Sequence, residues 1–355
     1  MKGMYQAVHT IMCENPTKKM WDSYLYFESE PTTKTFLQQI YEKQSIQKSN
    51  VYAFHNASKF IYYIKQARQY YFSAAKSDIL VQPLLLYYGM VSLLKAYVLT
   101  RDPQYPSNTR VLQHGVTSRK IKRNYYSLAE DEVRVQKEGL LPYLYSFLSK
   151  EPLHEKYRLQ DLLAVIPELQ AAYQRLYKQT SLTSVSLSSH RNFERLCTIF
   201  YLPDFVLDNA HLTYASFIHY LNRYNQGEAY FAASSLEAPR GIIRLEWHHP
   251  EKIHVTESGN GFENILFLHD YKGSFFYKTQ AGKNHTIPEV VIHYMIMYVL
   301  GMLCRYETER WGEIVFSFMS EDMYMIQEFL TLSARKFPNL VYDLLLQERH
   351  IFYTE

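Results

Sequence analysis

The chain has little of what marks a secreted, membrane-embedded or metal-clustered protein. Its three cysteines, Cys13, Cys197 and Cys304, are odd in number and far apart, which excludes a disulfide framework and a four-cysteine zinc site. Net charge is only +3, so wholesale attraction to nucleic acid or to an anionic membrane is excluded and any anion site must come from local clustering. Long hydrophobic runs are few. Ile79 to Thr100 is interrupted by Gln82, Pro83 and Lys95, and Val290 to Cys304 carries His293 and is too short to span a bilayer, so both are expected to be core helices. Residues Met1 to Lys19 lack a continuous apolar stretch of signal-peptide length, which favours a cytoplasmic protein without a membrane partner. Catalytic signatures are missing too: the chain has no Gly-x-Ser-x-Gly, no Walker loop, no Gly-rich dinucleotide fingerprint after a strand and no His-Glu-x-x-His.

What the chain does have is aromatic side chain, with 33 Tyr and 20 Phe. A tyrosine buries a large ring while its hydroxyl seeks a partner, so this abundance points to rings packed at core edges, grooves or interfaces. Hydrophobic periodicity predicts a mainly α protein with a small antiparallel β-sheet, an α+β fold. Residues 1–20 read as an N-terminal extension and 21–235 as a helical region with a loop at 103–139. Residues 239–287 read as an antiparallel β insertion and 288–355 as C-terminal helices packed with the rest as one unit.

Within that plan, Trp21 to Tyr41 and Asn56 to Phe72 read as amphipathic helices. Pro83 suits the first turn of a helix reaching about Leu99, where Asp102-Pro103 and Tyr105-Pro106 stop it. Pro167 breaks the stripe of Leu159, Leu162, Leu163 and Ile166, Ser181 to Ser189 reads as a linker or edge segment, and Asp208 to Tyr224 is a further helix. The period then changes to two. Ile243, Leu245 and Trp247 alternate with Ile242, Arg244 and Glu246; Ile253 and Val255, Ile265 and Phe267, and Phe275 and Tyr277 follow, predicting three or four strands. Pro288 is expected to open a helix through about Arg305, and Pro338 to open the last one.

Three constellations could carry chemistry. Arg110, His114, Arg119, Lys120, Lys122 and Arg123 are interleaved with Tyr125 and Tyr126, and fixed cations beside stacking rings suit a phosphate or a nucleotide. The plain alternative is a solvated basic loop paired with the acidic run at Glu130. Arg305 and Arg310, with Trp311, could hold an anion at the end of the second apolar helix, or could serve its carbonyls and dipole while Glu307 and Glu309 neutralise them. His248-His249, His254 and His269-Asp270 match no recognised metal spacing, so neither metal nor cofactor is expected. The ligand-binding set is therefore His114, Arg119, Lys120, Lys122, Arg123, Arg305 and Arg310.

Gln82-Pro83-Leu84-Leu85-Leu86-Tyr87-Tyr88-Gly89-Met90, His114-Gly115-Val116-Thr117-Ser118-Arg119-Lys120 and Cys304-Arg305-Tyr306-Glu307-Thr308-Glu309 resemble the YaaC family of Firmicutes, over nearly the whole chain from about Trp21. The resemblance implies a bacterial cytoplasmic protein often encoded beside inosine-monophosphate dehydrogenase, which makes that enzyme a candidate protein partner and purine nucleotides candidate ligands. A remoter resemblance, to HEPN-like helical domains, implies helical-bundle elements. There a His would act as general acid/base and an Arg would stabilise charge on the phosphorane of a metal-independent RNA cleavage. His114 and Arg110 are the candidates, closer together than that pattern usually has them. The leading expectation is a non-catalytic adaptor or regulator binding a protein partner and a purine nucleotide; the alternative is a HEPN-like ribonuclease or nucleotide-processing enzyme acting on RNA through His114 and Arg110.

Overall fold

A computed structural model describes residues 7–119, 127–192, 195–225, 228–234, 238–249, 262, 264–279, 287–316 and 321–354. Along the first half run β1 (Val8–Met12), α1 (Pro16–Tyr24), α2 (Glu30–Lys43), α3 (Ser49–Ala74), α4 (Gln82–Arg101), β2 (Val116–Arg119), β3 (Glu132–Val135), α5 (Leu140–Leu148), β4 (Lys156–Arg158), α6 (Leu159–Leu163) and α7 (Gln170–Tyr177). They are followed by β5 (Leu182–Asn192), β6 (Arg195–Pro203), α8 (Phe205–Ala210), α9 (Tyr214–Asn222), β7 (Tyr230–Ala233), β8 (Ile242–His248), β9 (Phe267–His269), β10 (Phe275–Lys278), α10 (Glu289–Tyr306), α11 (Thr308–Phe316), α12 (Asp322–Leu346) and β11 (Arg349–Tyr353). The protein is mainly α with antiparallel β-structure, and the chain divides into two compact units.

The helical unit comprises residues 17–163 and 287–345. Its centre is α4 against α3 and α10, and the reason lies in composition: α4 is apolar on every side, with Leu86, Met90, Leu93, Leu94, Tyr97 and Val98 buried, and α10 is buried from Val290 to Gly301. Both are long and apolar enough to cross a membrane, yet 72% and 78% of their most apolar windows are buried inside this unit. Pro83 sits in the first turn of α4 and Pro288 caps α10, as a residue without an N–H can. Pro338 does not open a helix; it lies inside α12. A proline there forfeits one backbone bond, but Phe337, Pro338 and Val341 are buried and the Pro338 carbonyl accepts from the Tyr24 hydroxyl at 2.7 Å, so packing holds the helix through it.

The described parts of 103–139 carry more structure than a loop. They contribute β2 and β3 to a three-stranded antiparallel sheet, β2-β3-β4, in which Val116 faces Val135 and Ser118 faces Val133. The strands are only three or four residues long, too short for their alternation to stand out from the charged residues around them.

The sheet unit comprises residues 1–16, 164–286 and 346–355. Its six strands run in the order β7-β8-β6-β5-β10-β9, each pairing antiparallel. β8 alternates as its sequence predicts, with Ile243, Leu245 and Trp247 buried. Residues 239–287 supply β8, β9 and β10, and the sheet is completed from upstream. Of Ser181 to Ser189, residues 182–189 belong to β5, an interior strand: Thr183 and Val185 face inward while Ser184, Ser186 and Ser188 are exposed, so serine here is the solvent face of a strand. Phe200, Phe217, Phe231, Leu245 and Trp247 form the core of this unit. Ile253 and Val255 lie outside the described residues. β1 and β11 pair in parallel as a separate two-stranded ribbon, so part of the 1–20 extension is a strand.

Candidate functional site

A cavity of about 290 Å³ opens in the helical unit between α4, the loop after it and α10. Its lining includes Tyr87 and Tyr88 from α4, His114 from the loop, and Tyr298, Gly301 and Arg305 from α10. Tyr298, Gly301 and Arg305 recur at helical spacing, and Tyr294 lies on the same stripe, so one face of α10 delivers two rings, a gap and a guanidinium.

Two glycines fix the place of His114. Gly115 has φ +77° and Gly139 φ +128°, and a Cβ on Gly139 would stand 2.4 Å from the Gly115 backbone. A side chain on either residue is therefore excluded both by conformation and by space. This close approach lets the opening N–H groups of α5, which have no partner within their own helix, reach the loop: Leu140 N donates to Gln113 O at 2.7 Å and Leu141 N to His114 O at 3.2 Å. Gln136 N donates to Gly115 O at 2.9 Å.

The His114 ring is oriented by a closed set of hydrogen bonds. Tyr294 donates its hydroxyl to the His114 carbonyl at 2.9 Å, Tyr294 and Tyr87 share a bond of 3.0 Å, and the Tyr87 oxygen lies 2.6 Å from His114 Nδ1. Burial holds both phenols well above their ordinary range, so each has one proton to give. Only one arrangement satisfies all three contacts. Tyr294 gives its proton to the carbonyl, Tyr87 gives its own to Tyr294, and His114 Nδ1 carries the proton that Tyr87 accepts. Nε2 is then left as an acceptor. Burial, with Arg305 and Lys95 as neighbouring cations, lowers the affinity of His114 for a second proton, so the ring is neutral at pH 7.

Arg305 donates to the Tyr88 hydroxyl at 2.8 Å and lies over the Tyr306 ring. No carboxylate lies among the described residues lining the cavity. Its electrostatics are those of an anion site: a guanidinium at an exposed edge, phenol rings as walls and a neutral imidazole accepting from within.

Of the expected site residues, the structure brings His114 and Arg305 together. Arg110 is directed elsewhere, exposed and paired with Glu138 at 3.2 Å, outside the cavity. Arg119 faces Glu132 across β2 and β3 at 4.0 Å, and the same carboxylate holds Lys156 at 3.1 Å. Arg310 pairs with Glu307 at 3.3 Å, one turn back. Lys120, Lys122 and Arg123, with Tyr125 and Tyr126, lie outside the described residues. Of the histidines weighed as metal ligands, His248 stacks on Tyr230 beside Glu246, and His269 packs edge-on to Phe275. The Asp270 carboxylate accepts from the backbone of Lys272 and Ser274, and His254 is outside the described residues. Reading the sequence missed Tyr87, Tyr88, Tyr294 and Tyr298 as site residues, although the spacing of Tyr294, Tyr298 and Arg305 on one helix face was a usable signal.

No curated protein and no solved structure matches this chain, so the HEPN-like resemblance gains nothing from either comparison. A family model described as YaaC-like protein matches residues 25–345. That span covers nearly all of the helical unit and the six-stranded sheet, and the chain belongs to the YaaC-like family.

Proposed function

We propose that this protein is a non-catalytic regulator of the bacterial cytoplasm that binds a purine nucleotide in the Tyr87–His114–Arg305 cavity and acts through a protein partner. The observation that carries the reading is Arg305 standing, among the described residues lining the cavity, with no carboxylate and beside rings that can stack on a base. A phosphate would take the guanidinium and Tyr88 hydroxyl, and an N–H of the base, in the ring or exocyclic, would donate to His114 Nε2. Both requirements are met by a nucleoside monophosphate and neither by an apolar ligand. A protein partner is supported by Val51, Phe54, Tyr62 and Phe72, large apolar side chains left exposed along one face of α3. Inosine-monophosphate dehydrogenase, suggested by the family resemblance, is the first to test.

The experiment is calorimetric titration of the purified protein with IMP, GMP and AMP and with the matching nucleosides. Binding of a monophosphate that weakens about 10- to 100-fold in Arg305→Ala, as loss of a hydrogen bond to a charged group does, supports the reading. Equal affinity for nucleotide and nucleoside, or for wild type and variant, overturns it. RNA cleavage that persists in chelator and disappears in His114→Ala would replace it with a nuclease.

A further inference from the structure

The parallel ribbon of β1 and β11 has a property unrelated to the cavity. Its register sets Val8 opposite Arg349, His9 opposite His350 and Thr10 opposite Ile351. Residues facing each other on paired strands share a side of the ribbon, and so do residues two apart on one strand. His9, His350 and Glu348 therefore belong to one face, with Arg349 on the other. The side chains agree: His9 Nε2 lies 3.1 Å from Glu348 Oε2, and the rings of His9 and His350 stack with centroids 5.1 Å apart. One ligand-capable atom from each of the three lies within 4.8 Å of the other two, and this is the one such trio of His, Cys, Asp or Glu among the described residues.

We infer that His9, Glu348 and His350 form a binding site for a divalent transition ion of the zinc class. Two imidazoles and one carboxylate make a borderline nitrogen and oxygen donor set, which suits Zn²⁺ better than Mg²⁺ or Ca²⁺. A tetrahedral ion with bonds of about 2.1 Å needs its ligand atoms roughly 3.4 Å apart. The His9–Glu348 pair already has that spacing. The three ligand atoms lie within 4.8 Å of one another, so small side-chain turns of the exposed His9 and half-buried Glu348 toward the buried His350 would bring all three onto one ion. The fourth position is left to solvent. Such an ion would tie together two strands whose ligands are 339 residues apart in sequence.

The test uses the full chain without a histidine tag, stripped with EDTA and titrated with Zn²⁺ and, for its visible bands, with Co²⁺. One equivalent of Co²⁺ with absorption typical of four or five ligands, and a melting temperature raised by Zn²⁺, are expected. Both effects should fall at least about tenfold in metal affinity for His9→Ala, whose side chain is exposed and whose loss leaves the fold intact, and for Glu348→Gln. Absence of saturable binding by wild-type protein, or binding unchanged in both variants, overturns the site.

Discussion

The two faces of α10 treat buried charge in opposite ways. Toward α12, Glu289 accepts from Lys336 at 2.7 Å and from His293 Nε2 at 3.4 Å, while His293 Nδ1 meets the Ser333 hydroxyl at 2.8 Å. The carboxylate thus has one cation and one imidazole against it, with His293 fully buried and Lys336 nearly so. Burial alone would raise Glu289, but Lys336 and His293 outweigh it and hold the carboxyl below the usual range. Toward α4, a few residues along the same helix, Arg305 faces no carboxylate among the described residues lining the cavity, and His114, with Arg305 and Lys95 as neighbouring cations, stays neutral. A balanced, closed cluster stabilises a fold; an unbalanced, open one is an unmet demand for an anion. Charged residues on one helix thus differ in role by their counter-ions, not by their type.

Removing Lys336 should break the balanced side most severely. Lys336→Ala leaves Glu289 buried with only His293, and a loss of about 3–5 kcal/mol in chemical denaturation is expected; pairing it with Glu289→Gln should recover part of that loss. Gly115→Ala comes next. Its positive φ and the Pro142 Cδ atom 2.4 Å from the new Cβ should cost about 2 kcal/mol or more, and nucleotide affinity should fall with it because His114 is displaced. Arg305→Ala should separate the two sides: stability within about 0.5 kcal/mol of wild type, as for an exposed residue, against the large affinity loss already stated.

The two faces should also fail in different pH windows. His114 has a folded pKa below its unfolded value, so the unfolded chain binds the extra proton first and stability declines as pH falls below about 6.5. Glu289 is also depressed, and as a carboxylate its contribution is complete above about 4.3 and lost below it. Denaturation midpoints from pH 8 to 3 should therefore fall in two steps, and His114→Asn should remove the upper one alone. Smallest of all is Gly301→Ala. Its Cβ would meet Tyr87 at an ordinary 3.6 Å, so helix propensity should add up to about 1 kcal/mol while the methyl group narrows the cavity and weakens binding. Stability and affinity moving in opposite directions would sharpen the contrast between the faces.

The long helices were legible because burial writes itself into sequence as period and as continuous apolar character, which is why α4, α10 and β8 lie close to where their residues predict. β5 was not, since alternating serine resembles a linker until a core is known to take Thr183 and Val185. Pro338 misled because tertiary packing outweighed its local rule. For the site, His114 and Arg305 were legible as types, but their convergence depends on helices that meet in space. Arg310 and Glu307 are one turn apart, so that neutralisation could be read from the sequence, whereas that of Arg119 needed the β2–β3 register. The trio on the ribbon left no local trace at all.

That ribbon also says something about the order in which the molecule matures. β1 and its partner, β11, are separated by more than 330 residues, so the two meet only when what lies between them has been made. Closing so long a loop is entropically costly and contributes little speed to folding. The pairing of His9 with His350 is thus a contact that follows the rest of the fold rather than seeding it.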